Sequence, residues 1–203
     1  MENAALGTRR AFGLLFICVS IAVAAAAIIS ELAYLNGAPL FYYAIIWLGS
    51  FGAVFGAAAP SLRRVAPSIR GRMKSSIKWS GPAKIVNGLC WAGPFVAIAA
   101  FPSLYQYLIL LGIGLGNLST YLLVRKYSGN DNREQLIVAV ISLAAIPAAI
   151  AIDTTLFASA QDIAVMLSRI LIAVAYGAGG LFALMGTKAG PVGFDPTTSG
   201  SLQ

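Results

Sequence analysis

With 203 residues, 59% of them hydrophobic, only 10% charged and a mean hydropathy of +0.82, the chain has too little polar surface to cover a soluble domain of its size. The net charge of +7 does not indicate nucleic acid, because the basic residues lie in connections between apolar runs rather than interleaved with aromatics on a polar face. With no histidine, histidine-ligated haem and the usual histidine-based metal sites are excluded, and no cofactor is expected.

Met1 to Thr8 is a short polar start, followed by Arg9 and Arg10. The apolar run 11–30 is about 20 residues, or about 30 Å as a helix, which is enough to cross a bilayer. Arg9 and Arg10 give this start a weak likeness to a twin-arginine export signal, but the run exceeds the usual signal core of about 7–15 residues and is read as the first span. A short connection containing Glu31 leads to a second span at about 39–59. Pro39 suits the first helical turn, and Tyr34, Phe41, Tyr42 and Tyr43 suit an interfacial belt.

Residues 61–84 carry Arg63, Arg64, Arg70, Arg72, Lys74, Lys78 and Lys84 and no acid, a composition that stays on the cytoplasmic side of a membrane. Within it, Leu62, Val65, Ile69, Met73 and Ile77 recur at spacings of three and four. That pattern predicts a helix in the headgroup plane, interrupted by Pro67 and Gly71. Arg63, Arg64, Arg70, Arg72, Lys74 and Lys78 are accordingly expected to contact anionic lipid headgroups, at about 1 kcal/mol each.

Spans three and four are expected at about 85–101 and 104–124, separated by Pro102 and Ser103 in a tight hairpin. After the polar turn 125–134, span five covers about 135–152 with Pro147 inside it. The cation-free stretch 153–162 leads to span six at about 163–185. The tail 186–203, rich in Gly, Pro, Thr and Ser, is expected to be disordered.

Cations sort by side. Arg9, Arg10, the seven of the basic stretch, Arg125, Lys126, Arg133 and Lys188 all fall in one set of connections, whereas the other set carries Glu31, Asp153 and Asp162. This asymmetry predicts an all-α polytopic membrane protein, a bundle of six transmembrane helices in three consecutive hairpins, with both termini cytoplasmic and residence in the cell membrane.

The remaining cation, Arg169, lies about 10 Å below the outer surface, where an unpaired guanidinium costs several kcal/mol. It is expected to point inward as part of a substrate-binding group with Glu31, Asp153 and Asp162. The Leu143 carbonyl, freed by Pro147, would be a second acceptor. Ala173, Tyr176 and Gly180 continue its helix face.

Counting from the turns places Asn87 level with Asn117 and Ser20 level with Ser50, as hydrogen-bonding contacts between helices. GxxxG patterns at 52–56 and 112–116 predict close helix packing, including against a membrane-protein partner. Cys18 and Cys90, inside apolar runs, are read as small hydrophobes. Paired carboxylates within a span, GxSxG, Walker A and metal-ligand spacings are all missing, so catalysis is not expected. The function expected is a small permease, channel or substrate-capture subunit with a polar site near the outer leaflet. The alternative is a non-catalytic accessory subunit of a larger membrane complex.

Overall fold

In hydrocarbon each peptide group must find its hydrogen bond within the chain, and an apolar sequence without strand periodicity meets that demand by coiling into helices. The computed structural model describes residues 2–39, 41–75 and 79–186, and among these there is no strand. The helices are α1 (Glu2–Leu35), α2 (Phe41–Ser75), α3 (Gly81–Ala100), α4 (Tyr105–Ser128) and a helical segment Arg133–Met185 that breaks at Ala160. Ala160 has φ −156° and ψ 65°, which divides that segment into α5 (Arg133–Leu156) and α6 (Ile163–Met185). Six helices are thus long and apolar enough to cross a membrane.

The boundaries follow local chemistry. Gly37 and Gly129 take φ +67°, the left-handed conformation that lets the chain leave α1 and α4 at no steric cost. Ser80 caps α3 by accepting the Ala83 N–H at 3.4 Å, and Pro82 sits in the first turn, where its missing N–H costs nothing. Pro102–Leu104 forms a single 3₁₀ turn between α3 and α4.

Two expected connections are helical instead. The basic stretch continues α2 as far as Ser75, through Pro60 and Pro67, so it is not a separate element. α1 lies alongside this extension, with Gly7 against the Ser68 hydroxyl, and both helices run to about 50 Å. The stretch 153–162 is likewise helical, except for the break at Ala160 within it. Thr155 turns its hydroxyl back onto the helix, donating to the Ala151 carbonyl at 2.7 Å, four residues back. The tail 187–203 and the side chains of Arg72, Lys74, Lys78 and Asp162 lie outside the described residues.

The packing order is α2 on α1, α1 on the α5–α6 pair, α5 on α4, and α4 on α3. Glycine permits the closest approaches: Gly180 faces Ile17, Gly179 faces the Glu134 carbonyl, and Gly114 faces Leu143. The core is built from Phe16 and Val23 of α1, Leu110 and Ile113 of α4, Val138, Ala145 and Ala149 of α5, and Ile172, Ala173 and Ala175 of α6. α2 and α3 are outer staves. Each rests on one neighbour, and they share no packed interface among the described residues.

Candidate functional site

Arg169, Ile172 and Tyr176 lie at i, i+3 and i+7 on α6 and therefore share one face. That face forms the floor of a cavity of about 540 Å³. The same helical arithmetic supplies the walls: Val19 and Val23 from α1, Trp47 and Phe51 from α2, and Tyr105, Ile109 and Ile113 from α4. The Trp47 and Phe51 rings stack with centroids 6.3 Å apart. From α3 comes Phe95, whose ring reaches across α4 because Gly112 has no side chain to stop it; a Cβ there would lie 2.8 Å from the ring.

Arg169 is the one charged residue of this lining and is half-buried. Among the described residues it makes no ion pair and no hydrogen bond, including none to the Leu143 carbonyl; the Leu143 side chain instead fills the space over Gly114. The Tyr105 and Tyr176 hydroxyls and the Trp47 indole N–H are the other polar groups. Tyr176 is held edge-on by Phe16, with ring centroids 5.4 Å apart.

The acids expected around Arg169 lie elsewhere or outside the description. Asp153 is turned towards α4, where its Oδ2 accepts from the Gln106 amide and the Tyr107 hydroxyl. Glu31 is half-buried near the end of α1, and the Asp162 side chain is outside the described residues. Of the four residues expected to form one group, Arg169 lines the cavity and Asp153 belongs to a separate cluster.

The inter-helix contacts use the expected residues with different partners. The 3₁₀ turn shifts the α3–α4 register by nearly a turn, so Asn87 Oδ1 meets Ser119 at 2.8 Å and Thr120 at 2.9 Å rather than Asn117. Asn117 donates to the Ile113 carbonyl at 2.9 Å in its own helix. Ser20 donates to the Ala173 carbonyl of α6 at 2.7 Å, away from Ser50, which is buried in α2. Arg63, Arg64 and Arg70 are exposed along the extension of α2. Cys18 is buried and Cys90 half-buried, both as free thiols.

Sequence reasoning missed the aromatic walls. Trp47, Phe51 and Phe55 recur every four residues, with Phe51 and Phe55 stacked at 6.0 Å, and that stripe was the available signal. Gln106 and Tyr107 were missed as partners of Asp153 because they start the helix that follows a tight turn, far from Asp153 in sequence.

Among the described residues no group of three His, Cys, Asp or Glu side chains is placed to hold a metal ion. A guanidinium in apolar surroundings can pair with an anion, and the low local dielectric strengthens that attraction. Compared with family models, curated proteins and solved structures, the chain matches none.

Proposed function

We propose that this multi-pass membrane protein is a small permease or substrate-capture subunit, non-catalytic, whose binding site is the cavity floored by Arg169. One observation carries the reading: a cavity of about 540 Å³, within the range of roughly 300–1,000 Å³ common for ligand sites, reaches Arg169, the one cation within the six apolar runs of the sequence. A guanidinium that served only to lock helices together would be expected to face a carboxylate, and Asp153 is committed to Gln106 and Tyr107 instead. In this reading the arginines of the α1–α2 end face the cytoplasm with both termini, and Arg169 lies towards the outer leaflet. The exposed Arg63, Arg64 and Arg70 then meet anionic headgroups.

The test is ligand-dependent stabilisation of the purified protein in phosphatidylcholine nanodiscs, screened with anions and repeated with Arg169→Gln. Stabilisation of the wild type that disappears in the variant supports the site. Equal responses of the two proteins overturn it.

A second reading, an accessory subunit of a larger membrane complex, has its own observation. Gly49, Gly52 and Gly56 of α2 face open space within 4 Å, whereas Gly112 and Gly116 of the other GxxxG pattern are filled by Phe95 and Trp91 of the same chain. Recovery of a stoichiometric membrane partner after gentle detergent extraction, lost on Gly52→Leu, supports this reading.

A further inference from the structure

We infer that the cavity receives a single-chain amphiphile with a carboxylate or phosphate-monoester head, which enters sideways from the lipid between α2 and α3. The inference rests on the cavity being a ligand site and adds the class of ligand and its route. Three observations carry it.

The first is the polarity of the lining along the helix axis. Arg169 lies six residues in from Ile163, about 9 Å from the start of α6, and Tyr176 lies about 10 Å deeper. The charge therefore sits towards one end of the cavity, while Val19, Phe51 and Ile113 line it with hydrocarbon. A small hydrated ion at Arg169 would leave those apolar walls facing water or a void, both unfavourable. A hydrocarbon tail fills them, and the head it carries meets the guanidinium in a bidentate pair.

The second is the mouth. α2 packs on α1 and α3 on α4, with no packed interface between α2 and α3 among the described residues. Trp47 and Phe51 stand on one bank of the gap and Phe95, 42% exposed, on the other. Since both staves carry apolar residues on their outer faces, among them Leu48 at 76% and Val96 at 71% exposed, the gap opens onto lipid. A ligand that partitions into the bilayer is already at this entrance.

The third is the charge balance. One cation faces the cavity, and among the described residues no acid lines it, so an anionic head is attracted, whereas a zwitterionic head places its own cation beside Arg169.

Trp47 reports occupancy directly. In phosphatidylcholine nanodiscs, a dibrominated oleate should quench tryptophan fluorescence of the wild type, and most of that quenching should vanish in Trp47→Phe. Unlabelled oleate and lysophosphatidic acid should compete, whereas lysophosphatidylcholine with the same chain should not. Arg169→Gln should weaken oleate binding by about 10–100-fold, the loss of a charge-assisted hydrogen-bonded pair, and Arg169→Lys should restore part of it. Should Arg169→Gln fail to fold, Ile109→Trp fills the cavity from α4 with the arginine intact and should abolish competition.

Competition by oleate and lysophosphatidic acid alike supports the shared anionic head, and competition by one alone assigns it. Stabilisation by acetate or inorganic phosphate that depends on Arg169, with no specific quenching by the brominated chain, overturns the amphiphile while leaving the ligand site standing. No difference between wild type and Arg169→Gln towards any of these probes overturns both.

Discussion

The Trp91 ring occupies the space into which Gly116 would project a side chain, and its indole N–H donates to Thr120 Oγ1 at 3.1 Å. Among the described residues the main packing partner of α3 is α4, and this contact, with Phe95 on Gly112, Asn87 on Ser119 and Thr120, and Ala83 against Val124, docks the helix. Gly116→Ala drives a methyl into the ring and should destabilise the protein by about 1–3 kcal/mol, the usual cost of overpacking. Gly52→Ala, with nothing within 4 Å, should be neutral or slightly stabilising. Reversible unfolding in mixed micelles measures both, and equal effects would sink the account of α3 docking.

Ser20 and Gly177 meet across the interface between α1 and α6. The Ser20 hydroxyl donates to the Ala173 carbonyl at 2.7 Å, and a Cβ on Gly177 would lie 3.0 Å from that hydroxyl. Ser20→Ala should cost about 0.6 kcal/mol, the average for such bonds within membranes, and at most about 1.7. Gly177→Ala should cost more in the wild type than in the Ser20→Ala variant, because removing the hydroxyl relieves the clash. Additive effects in that double-mutant cycle would show that the two residues do not touch.

How much of this was legible in the sequence depends on the range of the physics involved. The six apolar runs were readable because crossing a bilayer is a requirement on composition and length, and a helix covers each of them to within about two residues. The turn at Pro102 was readable because proline acts on its immediate neighbours. The helical continuation through Pro67 was not, because α1 lies alongside the extension and its support comes from far away in sequence. Asn87 and Asn117 were recognisable as polar groups needing partners. Their partners were not, since one 3₁₀ turn displaces the register by nearly a turn of helix. The cavity depends on five helices at once, and only its charge, Arg169, stood out in one dimension.

Orientation is open to direct measurement. In a cysteine-free background, a cysteine in place of exposed Arg64 should react with a membrane-impermeant maleimide only after the membrane is opened, and one in place of exposed Thr154 should react in intact cells. The reverse pattern would turn the bundle over and move Arg169 to the inner leaflet.

Asp131, in the turn between α4 and α5, accepts from Arg133 Nε at 2.6 Å and from the Tyr121 hydroxyl at 3.1 Å. The Arg133 hydrogen bond, aided by Tyr121, holds its carboxyl below the ordinary value of 3.8. A depressed carboxylate stabilises the fold fully above that ordinary value and loses the contribution as pH falls through its own lower one. The thermal midpoint of the wild type should therefore decline more than that of Asp131→Asn as pH falls below 3.8. The difference should be small, because the two side chains are 43% and 69% exposed and solvent screens them.

Asp153 ties the start of α4 to the end of α5, one residue along from Tyr105 in the cavity wall. Its Oδ2 takes both donors, from Gln106 and Tyr107, so removing either donor leaves the carboxylate with one. Tyr107→Phe should cost about 1.5–3 kcal/mol, the range for hydrogen bonds to a charged group. Asp153→Leu should cost at least as much in the wild type and less in the Tyr107→Phe variant, where the Gln106 amide alone is left stranded. Because this tie positions the helix that carries Tyr105, Ile109 and Ile113, Tyr107→Phe should also weaken ligand binding in the cavity. Asp153 does not line the cavity, so the loss should be the same for every ligand bound there, whatever its head. A loss confined to anionic ligands would instead place Asp153 in electrostatic contact with the head and overturn the separation of the two clusters.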